Sequence, residues 1–347
     1  MTVIELCERG LVPDALARFG MRQLIRTRLE DPANRNGEVR AERFNRFLDE
    51  LRAAPIAIET QAANQQHYEV PAEFFHRHLG PQLKYSCCYY PQGNETLAEA
   101  EIKMLELYAE RAELRDGLRI LDLGCGWGSL STWLAARYPG SQIVGLSNSH
   151  GQREFIENRA RERGLGNLTI HTGNVAEFEF TAEQLGGGFD RVLSIEMFEH
   201  MKNYGRLMEK ISRWLRPDGS LFVHIFVHKL LAYHFEVKDD KDWMTQYFFL
   251  GGTMPSENLL LHFQDHLKIE RQWWVDGRHY EKTSNHWLAG MDANREAILP
   301  LFRQAYGERD AAVWFQRWRM FYMAVAEFFG LAEGNEWGVA HYRFRRR

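Results

Sequence analysis

Cysteine, long apolar runs and net charge are all scarce in this chain, and each scarcity removes a class of protein. Four cysteines (Cys7, Cys87, Cys88, Cys125) among 347 residues are too few for a disulfide framework, and none shows paired zinc spacing. Cys87 and Cys88 are adjacent, which suits neither a mutual bridge nor a tetrahedral metal centre. No metal is expected, and a reducing, cytoplasmic setting fits. The formal net charge is only −4, so no global basic field favours nucleic acid. The arginines at 345 to 347 read as a solvated tail. No stretch reaches the roughly 18 apolar residues of a membrane-spanning helix. The opening MTVIELCERGLVPD carries acids where a secretion signal needs bases. Internal repeats and low-complexity segments are missing too.

What is there is aromatic. Aromatic residues make up 13% of the chain, and most of the ten tryptophans follow residue 210. That region needs a thick core or an aromatic-lined pocket. Residues 1 to 55 read as helices. Leu16, Phe19, Leu24, Ile25 and Leu29 are interleaved with Arg18, Arg22, Arg26 and Arg28, an amphipathic pattern. A basic helix of this kind suits peripheral contact with a membrane or a partner subunit, as in a homodimer. Packing onto its own domain is the commoner use. DPANRNG at 31 to 37 reads as a turn or loop.

From residue 115 short apolar runs alternate with helical stretches. RILDLGCG (119–126), QIVGLS (142–147), LTIHTG (168–173), DRVLSIEMF (190–198) and SLFVHIFV (220–227) are the strands. SLSTWLAARY (129–138) and GQREFIENRARERG (151–164) are helices between them. Two later strands follow at 266–275 and 337–345, each after a long helical insert. This alternation predicts an α/β fold with a mostly parallel sheet covered on both faces. Ligands of such sheets bind beyond the carboxyl ends of the strands.

DLGCGWGS (122–129) ends the first strand and opens a helix. Gly124, Gly126 and Gly128 let the backbone turn tightly and approach a ligand closely. Their G-x-G-x-G spacing differs from the fingerprint that seats a pyrophosphate on a helix terminus. Asp122 is awkward beside a diphosphate but suits a cation. S-adenosyl-L-methionine carries a sulfonium and an ammonium, so the loop is assigned to that donor; a ligand-free structural turn is the bland reading. Ser147 or Asn148 takes the place beside the ribose where an acid is common. Asn174 and Val175 fall near the adenine, with Gln152 a further candidate.

SIEMFEHMKNY (194–204) puts Glu196, Glu199 and His200 at the end of the fourth strand, next to the donor. If the chain turns at Met197, Glu199 and His200 face the transferred methyl. His224 and His228 share one face of the fifth strand but lie about 13 Å apart, too far for a common zinc. His224 reads equally as a hydrogen-bonded core histidine or a member of the site. LKYSCCYY (83–90) offers Tyr85 and Ser86 to the donor and Cys87 to the pocket wall. YHFE (233–236) and DWMTQYFF (242–249) supply rings, with Tyr233 and Phe248 taken as substrate contacts. Most such rings are core, but a cationic product favours an aromatic cage.

LKYSCCYY, DLGCGWGS, SIEMFEHMKNY and LFVHIF together resemble the cyclopropane fatty acid synthase superfamily of S-adenosylmethionine-dependent methyltransferases. PIAIETQAANQQHYEVPAEFF (55–75), FVHIFVHKLLAYHFE, YFFLGGTMPS, FQDHL and EWGVAHYRF look more closely like its coclaurine N-methyltransferase-like subgroup. The resemblance covers nearly the whole chain. It implies a class I, Rossmann-like, seven-stranded sheet with a helical extension at 1–80. The donor-binding domain then spans 81–347, with pocket inserts at 229–262 and 277–335. It places Glu196, Glu199 and His200 on catalytic positions. The lipid branch binds bicarbonate through positions matching Cys87, Glu199, His224 and Tyr280, all present here. The reading is methyl transfer to a small cyclic or aromatic amine. The alternatives are transfer to unsaturated phospholipid chains and a non-catalytic donor-binding scaffold.

Overall fold

The computed structural model describes residues 2–58, 71–237 and 242–347. Residues 59–70, which hold part of the run at 55–75, lie outside the described residues. Five parallel strands alternate with helices: β1 (Arg119–Leu123), β2 (Gln142–Ser147), β3 (Leu168–Thr172), β4 (Phe189–Ile195) and β5 (Leu215–His228). Two more, β6 (Leu267–Val275) and β7 (Trp337–Arg346), complete one seven-stranded sheet in the order β3-β2-β1-β4-β5-β7-β6. Only β7 runs against its neighbours, pairing antiparallel with both β5 and β6. The doubly wound fold expected from the alternation is present.

Register sets the functional edge. Leu123 of β1 lies opposite Leu146 of β2, Ser147 opposite Thr172 of β3, and Ile195 of β4 opposite His224 of β5. The strand order reverses at β1, so the carboxyl ends of β1, β2 and β4 open one crevice, the usual ligand position in such sheets. Near-continuous burial of β1 and β5 follows from helices on both faces.

Each face of the sheet has its own core. One gathers Phe74 and Phe75 of α4 (Ala72–His78), Leu105 and Tyr108 of α5 (Leu97–Arg111), and Leu130 and Leu134 of α6 (Ser129–Arg137). The long insert before β7 joins it through α9 (Gly277–Ala293), α10 (Arg295–Tyr306) and α11 (Ala311–Gly330). The other core packs α8 (Tyr204–Trp214) against the sheet, with Phe47, Leu48 and Leu51 of α3 (Gly37–Ala53). A fourth connection, α7 (His150–Glu162), covers β2 and β3. The amino-terminal helices thus contribute to both cores: α1 (Val3–Glu8) and α2 (Asp14–Leu29) contact α11, and α3 lies on the opposite face.

Two local expectations change. The 31–37 stretch holds a helical turn at Pro32–Arg35, because proline is well suited to a first helical position. In α2 the arginines face inward as much as the apolar residues do. Arg18 and Arg22 both pair with Glu327 of α11 at 2.9 and 2.5 Å, while Leu16 and Phe19 are 62% and 55% exposed. The four cysteines are free and buried. Among the described residues no helix is long and apolar enough to cross a membrane.

Candidate active site

The chain leaves β1 through Gly124, Gly126 and Gly128, all at positive φ. At Gly124 the freedom is needed twice: φ is +82°, and a Cβ would meet Met197 Cγ at 2.7 Å. The turn opens onto a cavity of about 820 Å³ lined by Leu123, Gly124, Gly126, Ser147, Asn148, Gln152, Asn174 and Val175. The four strand-end segments named from sequence therefore converge. Gly128 does not line it; its close approach is to Ile156 of α7.

A second cavity of about 580 Å³ continues on the other side of the turn, walled by Lys84, Tyr85, Ser86, Asp122, Trp127 and Ser129. Asp122 accepts from Ser131 Oγ at 2.6 Å. Burial raises its carboxyl to about 6, against the lowering hydrogen bonds from Ser131. Three buried polar atoms on these walls, Gln152 Nε2, Trp127 Nε1 and Ser129 Oγ, have no partner within the described protein. Buried donors without partners are costly. Here they stand beside a carboxylate, which suits a ligand carrying both an ammonium and a carboxylate. The residues present fit S-adenosylmethionine.

The third cavity, about 760 Å³, is a box of rings. Phe226, Phe235, Phe249, Tyr280, Trp287, Phe321, Phe328 and Phe329 wall it, with Met244, Met254 and Val325; Tyr85, Glu196, Glu199 and His200 close one end. No lysine or arginine stands among those lining residues. Glu196 lines all three cavities, so it marks where they meet.

Glu196 has a left-handed backbone, φ +48°, uncommon for a residue with a side chain and costly unless the surroundings hold it. Its amide donates to His224 O at 2.9 Å, and a short turn, Phe198–His200, follows. The turn at the end of β4 thus begins at Glu196, one residue before Met197. The Cys87 N–H at 2.9 Å and the Tyr280 hydroxyl at 2.6 Å donate to its carboxylate, and His224 Nε2 lies 3.0 Å from Oε1. Glu199 is 1% exposed and its Oε2 has no hydrogen-bond partner among the described residues. Burial pushes both carboxyls up. The Lys84 ammonium, the Cys87 N–H and Tyr280 draw Glu196 back, whereas the Glu196 charge drives Glu199 well above the carboxylate range. The pair therefore favours one shared negative charge over two. His200 stacks on Phe249, with ring centres 6.0 Å apart.

Several side chains named from sequence stand behind these walls. Cys87 meets the site through its backbone amide; its thiol is buried against Cys88 O. His224 is fully buried and reaches Glu196, not the cavity. Tyr233 lies beneath the Arg28 guanidinium and against the edge of Phe235, which is the lining ring. Phe248 is stacked on Phe321 in the core, and Phe249 lines the cavity in its place. The cause is a π-helical turn over Thr245–Phe249, whose extra residue shifts the facing position by one. Sequence reasoning missed Lys84, Trp127 and Ser129, and the face Phe321, Val325, Phe328, Phe329 of α11. That spacing is helical, but it is equally the spacing of a core face.

Residues 57–330 match the mycolic acid cyclopropane synthetase family. The chain belongs to that family. It is 38% identical over 349 residues to (S)-coclaurine N-methyltransferase of Thalictrum flavum subsp. glaucum, covering 99% of this chain and 95% of that protein. The cyclopropane-fatty-acyl-phospholipid synthase of Escherichia coli K12 is 28% identical over 307 residues, 86% of this chain and 74% of that one. The crystal structure of coclaurine N-methyltransferase bound to N-methylheliamine and SAH superposes with a TM-score of 0.93 at 37% identity, covering 99% of both chains. Mycolic acid cyclopropane synthase CmaA1, at 22% identity and a TM-score of 0.68 over 83% of this chain and 98% of that one, shares the fold. Fold, donor cavity and family together make this member of the cyclopropane synthetase family an S-adenosylmethionine-dependent methyltransferase.

Proposed function

We propose that the enzyme methylates the nitrogen of a small cyclic or aromatic amine, with Glu196, Glu199 and His200 as its acid–base and cation-stabilising groups. One observation carries the reading: the Glu196 carboxylate, held by the Cys87 amide, His224 and Tyr280, stands where the donor cavities open into a ring-lined acceptor cavity with no lysine or arginine among its described lining residues. The resemblance assigns Cys87, Glu199, His224 and Tyr280 to a bicarbonate in the lipid branch. In this chain three of the four, Cys87, His224 and Tyr280, are engaged by the Glu196 carboxylate, which favours the amine over the alkene acceptor. The names of the N-methyltransferase relatives support the same choice.

The bound donor supplies an electrophilic methyl group. The protein's part begins with the acceptor, since an aliphatic amine in water at neutral pH is mostly protonated and cannot attack. Two buried carboxyls with raised affinity for a proton, beside His200, are suited to take it. The remaining negative charge and the ring faces stabilise the ammonium product, each ring contributing roughly 1–2 kcal/mol where desolvated. Alignment of the two cavities supplies orientation. Tyr85, Ser86, Asp122, Ser147, Asn148, Gln152, Asn174 and Val175 hold the donor, and Phe235 and Phe249 replace Tyr233 and Phe248 as acceptor contacts.

The test is a mass-spectrometric screen of cyclic amines, phenethylamines and unsaturated phospholipid vesicles with S-adenosylmethionine. A methylated amine is the expected product, with kcat/KM falling about a hundredfold or more in Glu196→Gln. Methyl label appearing only in the lipid phase would overturn the reading.

A further inference from the structure

The histidine behind Glu196 belongs to a line of hydrogen bonds that crosses two strands and ends at a helix terminus. Arg111 is the last residue of α5 and lies with its guanidinium 5.1 Å from the centre of the Trp273 ring. Its Nη1 is 2.7 Å from Nδ1 of His341. Nε2 of His341 is 2.8 Å from Nδ1 of His224, and Nε2 of His224 is 3.0 Å from Oε1 of Glu196. His224 and His341 are direct partners across β5 and β7, and both are fully buried.

The ends of the line assign its protons. A guanidinium has only donors, so His341 must offer Arg111 an unprotonated Nδ1. A neutral ring then carries its proton on Nε2 and donates it toward Nδ1 of His224. That leaves His224 with its own proton on Nε2, aimed at Glu196. A cationic form of either ring would set two N–H groups against each other, and burial opposes the charge as well. The Tyr108 hydroxyl, 3.1 Å from Nδ1 of His224, is placed to reinforce the acceptor role of that nitrogen.

We infer that Arg111 is a positioning residue for Glu196, which through the tautomers of His341 and His224 sets an N–H, rather than a lone pair, against the carboxylate. The inference rests on Glu196 acting at the reacting centre. Without Arg111 both rings are free to reverse. His224 then turns a lone pair toward Oε1, and Glu196 takes up a proton to donate to it. In that form it can no longer receive one from the acceptor. Other charged and titratable groups bear on the same atoms: Lys84 on both histidines, and Lys84, Tyr280, His200 and Glu199 on Glu196. These act on the charge of Glu196, whereas Arg111 acts on the sense of the bonds. Lysine, also a donor without an acceptor, should therefore replace it.

The test uses the full chain labelled with ¹⁵N in its histidine rings, together with pH profiles of methyl transfer. In the unaltered protein His224 and His341 should both be neutral with the proton on Nε2. In Arg111→Met the Nδ1–H form should become populated in both rings, and the acidic limb of kcat/KM should rise by up to about one pH unit. Arg111→Lys should restore tautomers and limb alike, which a purely structural role would not require. Arg111→Ala repeats the test should methionine disturb the Trp273 contact. An Nδ1–H form of His224 in the unaltered protein, or unchanged tautomers in Arg111→Met and Arg111→Ala, would overturn the inference. The tautomer measurement needs no turnover. Loss of the amine reading would show in the product screen and leave the ring assignments standing.

Discussion

Glu196 and Glu199 show at the scale of single residues what the site costs the fold. Glu199 is buried next to a second carboxylate, with one oxygen unpartnered among the described residues. Two buried carboxylates side by side repel each other, so removing one charge with Glu199→Gln should raise the melting temperature by about 2–4 °C at neutral pH while it lowers turnover. The sign depends on pH. Glu199 has a raised carboxyl in the folded state, so its contribution is most favourable below the carboxylate range and is lost as pH rises through the folded value. The thermal gain should therefore be larger at pH 8 than at pH 4.5. A variant that melts lower than the parent at pH 8 would contradict this account. Glu196, Glu199 and His200 were legible in the sequence because they are consecutive enough to share one strand end. The left-handed backbone of Glu196 was not, since nothing in SIEMFEHM distinguishes a residue held at φ +48°.

At the scale of elements, the glycine turn and the aromatic inserts behave differently. The turn's positive φ at Gly124 is specified locally by the glycine spacing that ends β1, while the approach of Met197 comes from the end of β4. Gly124→Ala should therefore weaken donor binding by tenfold or more, as positive φ and a clash with the Met197 side chain combine. Isothermal titration with S-adenosylhomocysteine reads this directly, with the fold monitored by circular dichroism. Equal affinity in both proteins would remove the turn from the donor site. The insert at 229–262 is specified only by its packing. Its lining rings, Phe235 and Phe249, lie in the very runs that drew attention to Tyr233 and Phe248, and at Phe249 a π-helical turn shifts the facing position. Periodicity cannot report such a shift, because one extra residue per turn leaves the composition unchanged. Phe249→Ala should accordingly raise KM for an aromatic acceptor several-fold more than Tyr233→Ala does, in steady-state assays.

Across the whole molecule, burial holds many histidines neutral. It lowers His78 to about 3, and His228, His234 and His279 to about 4. A histidine with a depressed folded value stabilises the protein above its unfolded value near 6.5 and loses that contribution as pH falls. Melting temperature should thus start to fall below about pH 6.5, before ordinary surface carboxylates begin to titrate, and continue falling to about pH 4. His78→Asn should flatten part of that slope. A melting profile level across this window would show that the rings stay accessible to protons.

The amino-acid order by itself determined the alternating strands, the glycine turn behind Asp122 and the clustered acids after β4, because backbone geometry and strand-end chemistry are short-range properties. It also carried the family resemblance, spread over nearly the full chain. Only the tertiary structure decided which rings wall the acceptor cavity, that Cys87 contributes an amide instead of a thiol, and that Arg111 reaches Glu196 through His341 and His224. All but the His224–Glu196 contact join residues more than a hundred positions apart, and their geometry depends on how β7 returns beside β5 and how α5 ends against it.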